Sequence, residues 1–225
     1  MDRRSARCTV VKLVLTFAKA IPFCFGALFP FLNPLDSAVM FVALTMGFSP
    51  ETRHGLALKV GVNTFLLLTI VLFTGSWVLR FFGISVPVVQ IGGGSVVAFI
   101  GWTMLNRPAD GMEGPPPPSE KQAPEMAFFP LTMPLTAGPG CIAVTLTVGA
   151  HEVGTSSEVT LLGQAGAATG IALGAVTVFV CYRYADGILR VLGKSGRQVI
   201  VRLAAFINLC IGIQMVWHGI QGLQR

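Results

Sequence analysis

Apolar residues fall in long unbroken runs at 10–32, 56–79, 87–105, 126–150, 159–182 and 199–220, separated by short polar stretches. A helix needs about 20 such residues to cross a bilayer. The pattern therefore predicts six crossings. The runs are continuous rather than alternating, which favours helices over a lipid-facing barrel, because a helix satisfies its own backbone groups in hydrocarbon. The predicted fold class is all-α, with minimal β structure. The first apolar stretch, read on to Phe48, is nearly two crossings long. That length leaves room for a re-entrant hairpin around Asn33-Pro34.

The chain repeats itself. Phe29-Pro30-x-x-x-Pro34-Leu35 returns as Phe129-Pro130-x-x-x-Pro134-Leu135, and Leu79-Arg80-x-x-Gly83-x-Ser85 returns as Leu189-Arg190-x-x-Gly193-x-Ser195. Both echoes keep their order. Between the copies, residues 107–125 carry four consecutive prolines, Pro115 to Pro118, among Asp110, Glu113, Glu120, Lys121 and Glu125. Such a segment favours an extended polyproline linker. The predicted organisation is a three-span repeat over 1–106, the linker over 107–125 and a second three-span repeat over 126–225. A unit with an odd number of crossings re-enters the membrane upside down, so the two repeats are expected to be inverted.

Composition agrees with a membrane protein: 53% of residues are hydrophobic and 12% charged, against about 25% charged in a soluble domain. The formal charge of +6 would suggest nucleic acid in a soluble chain. Here the basic residues cluster at span ends, where anionic lipid headgroups are the fitting partners and nucleic acid is not. One face collects Arg53, Lys59, Arg107, Lys121, Arg183, Arg190, Lys194, Arg197 and Arg202; the other collects Arg80, Arg225, Arg3, Arg4, Arg7 and Lys12. The richer face reads as cytoplasmic, which puts both termini outside. Arg3 to Ala20 has the outline of a signal peptide, but Lys12 and Lys19 interrupt its apolar middle. The cysteines Cys8, Cys24, Cys141, Cys181 and Cys210 are odd in number and lack a C-x-x-C pair. They read as small apolar residues, with no disulfide framework and no metal site.

Proline in a helix deletes a backbone hydrogen bond, and glycine lets the chain leave helical geometry cheaply. Pro30, Asn33 and Pro34 interrupt the first half; Pro130, Pro134, Gly138, Pro139 and Gly140 interrupt the second. Irregular backbone at membrane depth is tolerated only inside protein or along a polar cavity. Two breaks at matching places in inverted halves point to a substrate site near the midplane. The expected substrate-binding residues are Asn33, Pro34, Asp36, Thr132, Pro134, Thr136, Gly138, Pro139 and Gly140. Freed amides and the positive end of a half-helix starting near Gly140 suit a carboxylate; freed carbonyls near Asn33 and Thr132 suit an ammonium or a cation. That combination suits a zwitterion. Asp36 is the carboxylate beside a break and is the candidate for coupling to protons. Other in-span polar residues, Asn63, Gln90, Gln164, Thr169, Asn208 and Gln214, are expected to hydrogen-bond between helices. Gly166, Gly170 and Gly174, and Gly92-Gly93-Gly94, form small-residue faces suited to close helix packing.

Two imitations of enzyme motifs fail on spacing. Gly193-Lys194-Ser195 resembles the end of a phosphate-binding loop, but Gly187 stands one residue too far upstream and no strand precedes it. Gly94-Ser95 lacks the Gly-x-Ser-x-Gly frame, and His54, His151 and His218 all lie near span ends. No nucleophile and base can be paired, so an enzyme is not expected, and neither is a cofactor.

The assembled motifs resemble the MarC family of six-span bacterial inner-membrane proteins, related to the SnatA small neutral amino acid transporters. The resemblance runs over nearly the whole chain. It is carried by Asn33-Pro34-Leu35, Phe82-Gly83-Ile84-Ser85-Val86-Pro87, Ile91-Gly92-Gly93, Val97-Ala98-Phe99-Ile100-Gly101, Pro134 to Gly140, Leu192-Gly193-Lys194-Ser195-Gly196, Arg202-Leu203 and Gly212-Ile213-Gln214. It implies a multi-pass inner-membrane carrier for glycine, alanine or similar amino acids, coupled to a cation such as H+ or Na+. Gln90, where the family pattern usually has arginine, and Asp36, where many members have a small or neutral residue, depart from it. A secondary transporter of small neutral amino acids working by alternating access is the expected function. Its alternatives are an exporter of drugs or other small metabolites and a membrane protein without transport activity. Assembly as an oligomer is open to any of the three.

Overall fold

In a computed structural model of the chain, residues 3–45, 47–106, 122–151 and 157–224 are described, and every element among them is helical. The first half comprises α1 (Arg3–Leu32), α2 (Pro34–Leu44), α3 (Pro50–Phe81) and α4 (Val86–Leu105). The second comprises a short α5 (Ala123–Met126), a wide-turned segment (Ala127–Thr136), α6 (Pro139–His151), α7 (Ser157–Arg183) and α8 (Ala185–Leu223). Pro115 to Pro118 of the expected linker lie outside the described residues.

By length and apolarity four helical stretches can cross a membrane: Leu13–Leu32, Pro50–Gly75, Val86–Thr103 and Val159–Arg183. The pair Ala123–Thr136 and Pro139–Gly149 makes a fifth if taken as one span. That pair bends by 71°, so the run over 126–150 is broken where its prolines and glycines were expected to interrupt it. The run expected over 199–220 lies within α8.

Glycine decides how the long helices meet. A Cβ at Gly94 would lie 2.7 Å from the Gly212 carbonyl, at Gly101 2.6 Å from the Leu209 amide, and at Gly219 2.7 Å from the Pro87 carbonyl. Helices α4 and α8 therefore run antiparallel with their backbones nearly touching, the approach that small residues permit in lipid. On α7, a Cβ at Gly166 would lie 2.5 Å from the Phe17 carbonyl, at Gly170 2.8 Å from the Ile21 carbonyl, and at Gly174 2.8 Å from Leu32 Cδ1. This glycine face receives α1, and here the two helices run parallel.

Farther along α7, Tyr182 stacks on Phe41 of α2 with ring centroids 4.5 Å apart. Leu32 thus meets Gly174, and Phe41 meets Tyr182: α1 and α2 progress along α7 in the same sense. The break at Asn33 interrupts one path and does not turn the chain back as a hairpin.

The buried core runs through Cys24, Leu28 and Leu32 of α1, Phe41 of α2, Val60, Leu68 and Leu72 of α3, Leu131, and Ile171 and Val178 of α7. Around it, Trp77, Phe99, Trp102, Phe129, Phe206 and Trp217 stand exposed. So broad an apolar surface is a liability in water and the natural exterior in lipid.

Gly170→Leu should force α1 off α7, because its Cβ meets backbone that cannot yield. Overpacking costs about 1–3 kcal/mol, and the expected outcome is a lower unfolding temperature in detergent and less folded protein. Gly26→Ala is the matched control: a Cβ there meets nothing within 4 Å, and alanine is the better helix former. Its unfolding temperature should equal or exceed the parent's.

Candidate functional site

The two breaks obey different local rules. At the first, Pro30 is carried inside α1 and the chain departs from the helix at Asn33, with φ 38° and ψ 61°. Asparagine is among the few residues that enter this left-handed region readily. Pro34 then starts α2 at a first-turn position, where its missing N–H costs nothing. The interruption is closed on itself. The Asn33 amide donates to the Phe29 carbonyl at 3.1 Å, and the Asn33 carbonyl accepts the Ser37 amide at 3.0 Å and the Ser37 hydroxyl at 2.9 Å.

The second break is spread over ten residues. Phe129 (φ −123°, ψ 123°) and Met133 (φ −121°, ψ 123°) are extended, as residues before proline prefer to be. Each is joined to its proline by a cis peptide. Position 133 is Met where the first half has Asn33, so the left-handed solution is costly there and the chain extends instead. Hydroxyls cap the widened turns: Thr132 Oγ1 donates to the Ala127 carbonyl at 2.6 Å and Thr136 Oγ1 approaches the Leu131 carbonyl at 2.7 Å. The Thr132 carbonyl accepts the Ala137 amide at 2.8 Å. Gly138 follows, with space for a Cβ only 2.9 Å from the Pro134 carbonyl, and Pro139 opens α6.

Packing brings the breaks together. Gly140, in the first turn of α6, lies against Phe31 of the first break; a Cβ at 140 would stand 2.9 Å from the Phe31 ring and would also strike Val97 of α4. The first-turn amides of α6 have no partner within their own helix. Their positive end faces the junction of α1, α4 and α6. Cys141 is buried beside it, its Sγ 3.6 Å from the Thr136 carbonyl.

Of the expected site residues, Thr132, Thr136 and Gly140 are buried, Pro34 is buried, Asn33, Gly138 and Pro139 are half-buried, and Pro134 is exposed. Asp36 belongs to the first turn of α2, but its side chain lies outside the described residues. The carbonyls expected to be free at Asn33 and Thr132 are both engaged by backbone amides. The reason is that a buried acceptor left empty in lipid is expensive, so the chain supplies its own donors.

Sequence reasoning missed Tyr182. Its hydroxyl sits 2.6 Å from Thr136 Oγ1, and its ring is the one that stacks on Phe41. A tyrosine at the end of an apolar run reads as an interfacial anchor, and nothing local announces a partner 46 residues back. Also missed was Arg53, whose Nη1 holds both carboxylate oxygens of Asp186, at 2.7 and 2.5 Å. Thr64, in the middle of α3, is fully buried, and its hydroxyl has no partner among the described residues.

A helical, multi-pass membrane protein with two capped helix breaks meeting in its interior is the class that these features define. The chain belongs to the MarC family: residues 18–224 match it as a MarC family integral membrane protein. It is 32% identical over 213 residues to the UPF0056 inner membrane protein MarC of Escherichia coli strain K12, covering 92% of this chain and 96% of that one. The proteins of the same name from Shigella flexneri and from Escherichia coli O6:H1 show the same identity and coverage. No solved structure matches. The apolar helices and these inner-membrane relatives together place the chain in the inner membrane as a multi-pass protein.

Thr64→Val keeps the shape of the side chain and deletes the unpartnered hydroxyl. Since an unsatisfied buried hydroxyl costs about 1–3 kcal/mol, thermal unfolding in detergent should shift upward. An unchanged or lower midpoint would show that the hydroxyl has a partner in the membrane. Tyr182→Phe should shift it the other way, by about 1 kcal/mol for one lost hydrogen bond.

Proposed function

We propose that the protein is a secondary transporter of small neutral amino acids, built from six crossings in two inverted halves and working by alternating access. The observation that carries this reading is the pattern of helix packing. Let α1 exchange with the Ala127–Thr136 segment, α2 with α6, α3 with α7 and α4 with α8. Then the packing of α1 on α7 becomes that of α3 on the segment, α2 on α8 becomes α4 on α6, α2 on α7 becomes α3 on α6, and α1 on α6 becomes α2 on the segment. The α3–α7 and α4–α8 pairs map onto themselves. An inverted repeat with a site between its halves makes such exchange natural, and rocking one half on the other would present the site to each face in turn.

The chemistry favours a small zwitterion. The start of α6 supplies amides and a positive dipole end for a carboxylate. Buried threonine hydroxyls and backbone carbonyls of the two breaks supply acceptors for an ammonium, once the hydrogen bonds that now cap them are exchanged. Phe31 and Val97 crowd Gly140 closely, so only a small side chain fits there. Asp36 is the group we assign to coupling with H+ or Na+. The relatives bear names of inner-membrane proteins, not of enzymes, and we read this chain as non-enzymatic too.

Counterflow of labelled glycine, alanine, serine and threonine into liposomes holding the purified protein tests the reading, with Gly138→Leu as the variant blocked at the break. Exchange by the parent that this variant abolishes is the expected result. If folded parent protein exchanges none of the four, the amino-acid reading falls, and an exporter or a non-transporting protein takes its place. Asn33→Gly, which keeps the left-handed turn and loses only the carboxamide, separates backbone from side chain. It should retain exchange if the backbone forms the site, whereas Asn33→Val, unable to hold that turn cheaply, should lose both exchange and stability. Asp36→Asn should abolish the dependence of exchange on pH or Na+.

A further inference from the structure

We infer that one face of the protein is shut by a two-tier gate between the halves: an outer latch, Arg53 with Asp186, and an inner lid, Phe41 on Tyr182 over Thr136. The inference rests on the transporter reading for its purpose and on the structure for its parts.

The outer tier joins the first turn of α3 to the first turn of α8, across 133 residues of sequence. Arg53 is only 17% exposed, while Asp186 is half exposed at 52%. A charge-assisted pair at such a depth holds more firmly than one in open water. Yet it is held at one end only. Nη1 takes both carboxylate oxygens, and Arg53 Nε is buried with no partner among the described residues. A single-ended grip of this kind is suited to release.

The inner tier is buried more deeply, with Phe41 and Tyr182 only 1% and 3% exposed. Helix α2 and the start of α3 are consecutive in the chain, as are the end of α7 and the start of α8, so both tiers join the same two stretches of backbone. Phe41 comes from the first half and Tyr182 from the second, stacked at 21°. The Tyr182 hydroxyl is tied to Thr136 at the second break, and Cys141 sits behind with its Sγ against the Thr136 carbonyl. A path from this face to the break would therefore pass an ion pair, then a ring stack, then Thr136. No rocking of the halves can open it without parting the ion pair and the ring stack, the two of these contacts that cross between the halves, and both are contacts that re-form each cycle.

The native thiol of Cys141 reports on the gate without any substrate. Take the full-length protein with Cys8, Cys24, Cys181 and Cys210 replaced by alanine, reconstituted in nanodiscs, and measure its rate of labelling by a small charged methanethiosulfonate. Asp186→Ala and Phe41→Ala should each raise the rate at least about fivefold, the low end of typical couplings between two states. The double charge exchange Arg53→Asp with Asp186→Arg should bring it back toward the parent. Rates unchanged in both single variants overturn the gate. So does a charge exchange that labels as fast as Asp186→Ala while remaining folded by size exclusion and helical content, because restored charge would then count for nothing. Counterflow by the parent is measured alongside. Absent exchange with the labelling pattern intact removes the transport reading and leaves the gate; present exchange with no labelling response removes the gate alone.

Discussion

Backbone that leaves helical geometry inside a bilayer must find hydrogen-bond partners within the protein, since lipid provides none. Both breaks in this chain are shaped by that constraint. At Asn33 the solution is compact: one left-handed residue, with Ser37 returning its hydroxyl and amide to the carbonyl before the next helix. At Phe129 to Gly138 it is extended: the hydroxyls of Thr132 and Thr136 reach the carbonyls of Ala127 and Leu131, and the Tyr182 hydroxyl in turn holds that of Thr136. Threonine is dense in the core, with Thr45, Thr64, Thr132, Thr136 and Thr145 all buried, and all but Thr64 bond to backbone carbonyls. Most of them spend their hydroxyls on carbonyls one turn back.

On the proposed transport reading, capping and substrate binding draw on the same groups. A break whose carbonyls are taken by the protein's own donors is stable in lipid and closed to a ligand; a ligand that brings its own ammonium and carboxylate can take over those bonds at little net cost. On that reading, this exchange of partners would link substrate binding to movement of the broken segments without any new charge in the membrane. At Thr136 the second break meets two other elements, its hydroxyl reaching that of Tyr182 and its carbonyl the buried Cys141 thiol.

The rest of the scaffold is held stiff by glycine. Where α4 meets α8 and α1 meets α7, backbones approach so closely that even one methyl group would collide. In lipid, where no hydrophobic effect drives helices together, dispersion and short backbone contacts supply the attachment. These two close pairs, one antiparallel and one parallel, bracket the region where the breaks meet.

Helical class, membrane residence and the places where helices break were all legible in one dimension, because they depend on local composition: runs of apolar residues, and prolines with glycines set among them. The paired motif around Pro30 and Pro130 announced two breaks, and the glycine spacing of α7 announced a packed face. Their shapes were not legible. Asn33 and Met133 occupy equivalent places in the repeat, and the difference between a left-handed turn and an extended one was settled by what each residue's side chain tolerates in its surroundings. The expected free carbonyls turned out engaged, because their donors, Ser37 and the Ala137 amide, reach them only in the folded turn. Arg53 finding Asp186, Tyr182 finding both Phe41 and Thr136, and Phe31 resting on Gly140 were decided by tertiary structure alone. Such contacts join residues far apart in the chain, and no local pattern encodes a partner that only the packing of whole helices can deliver.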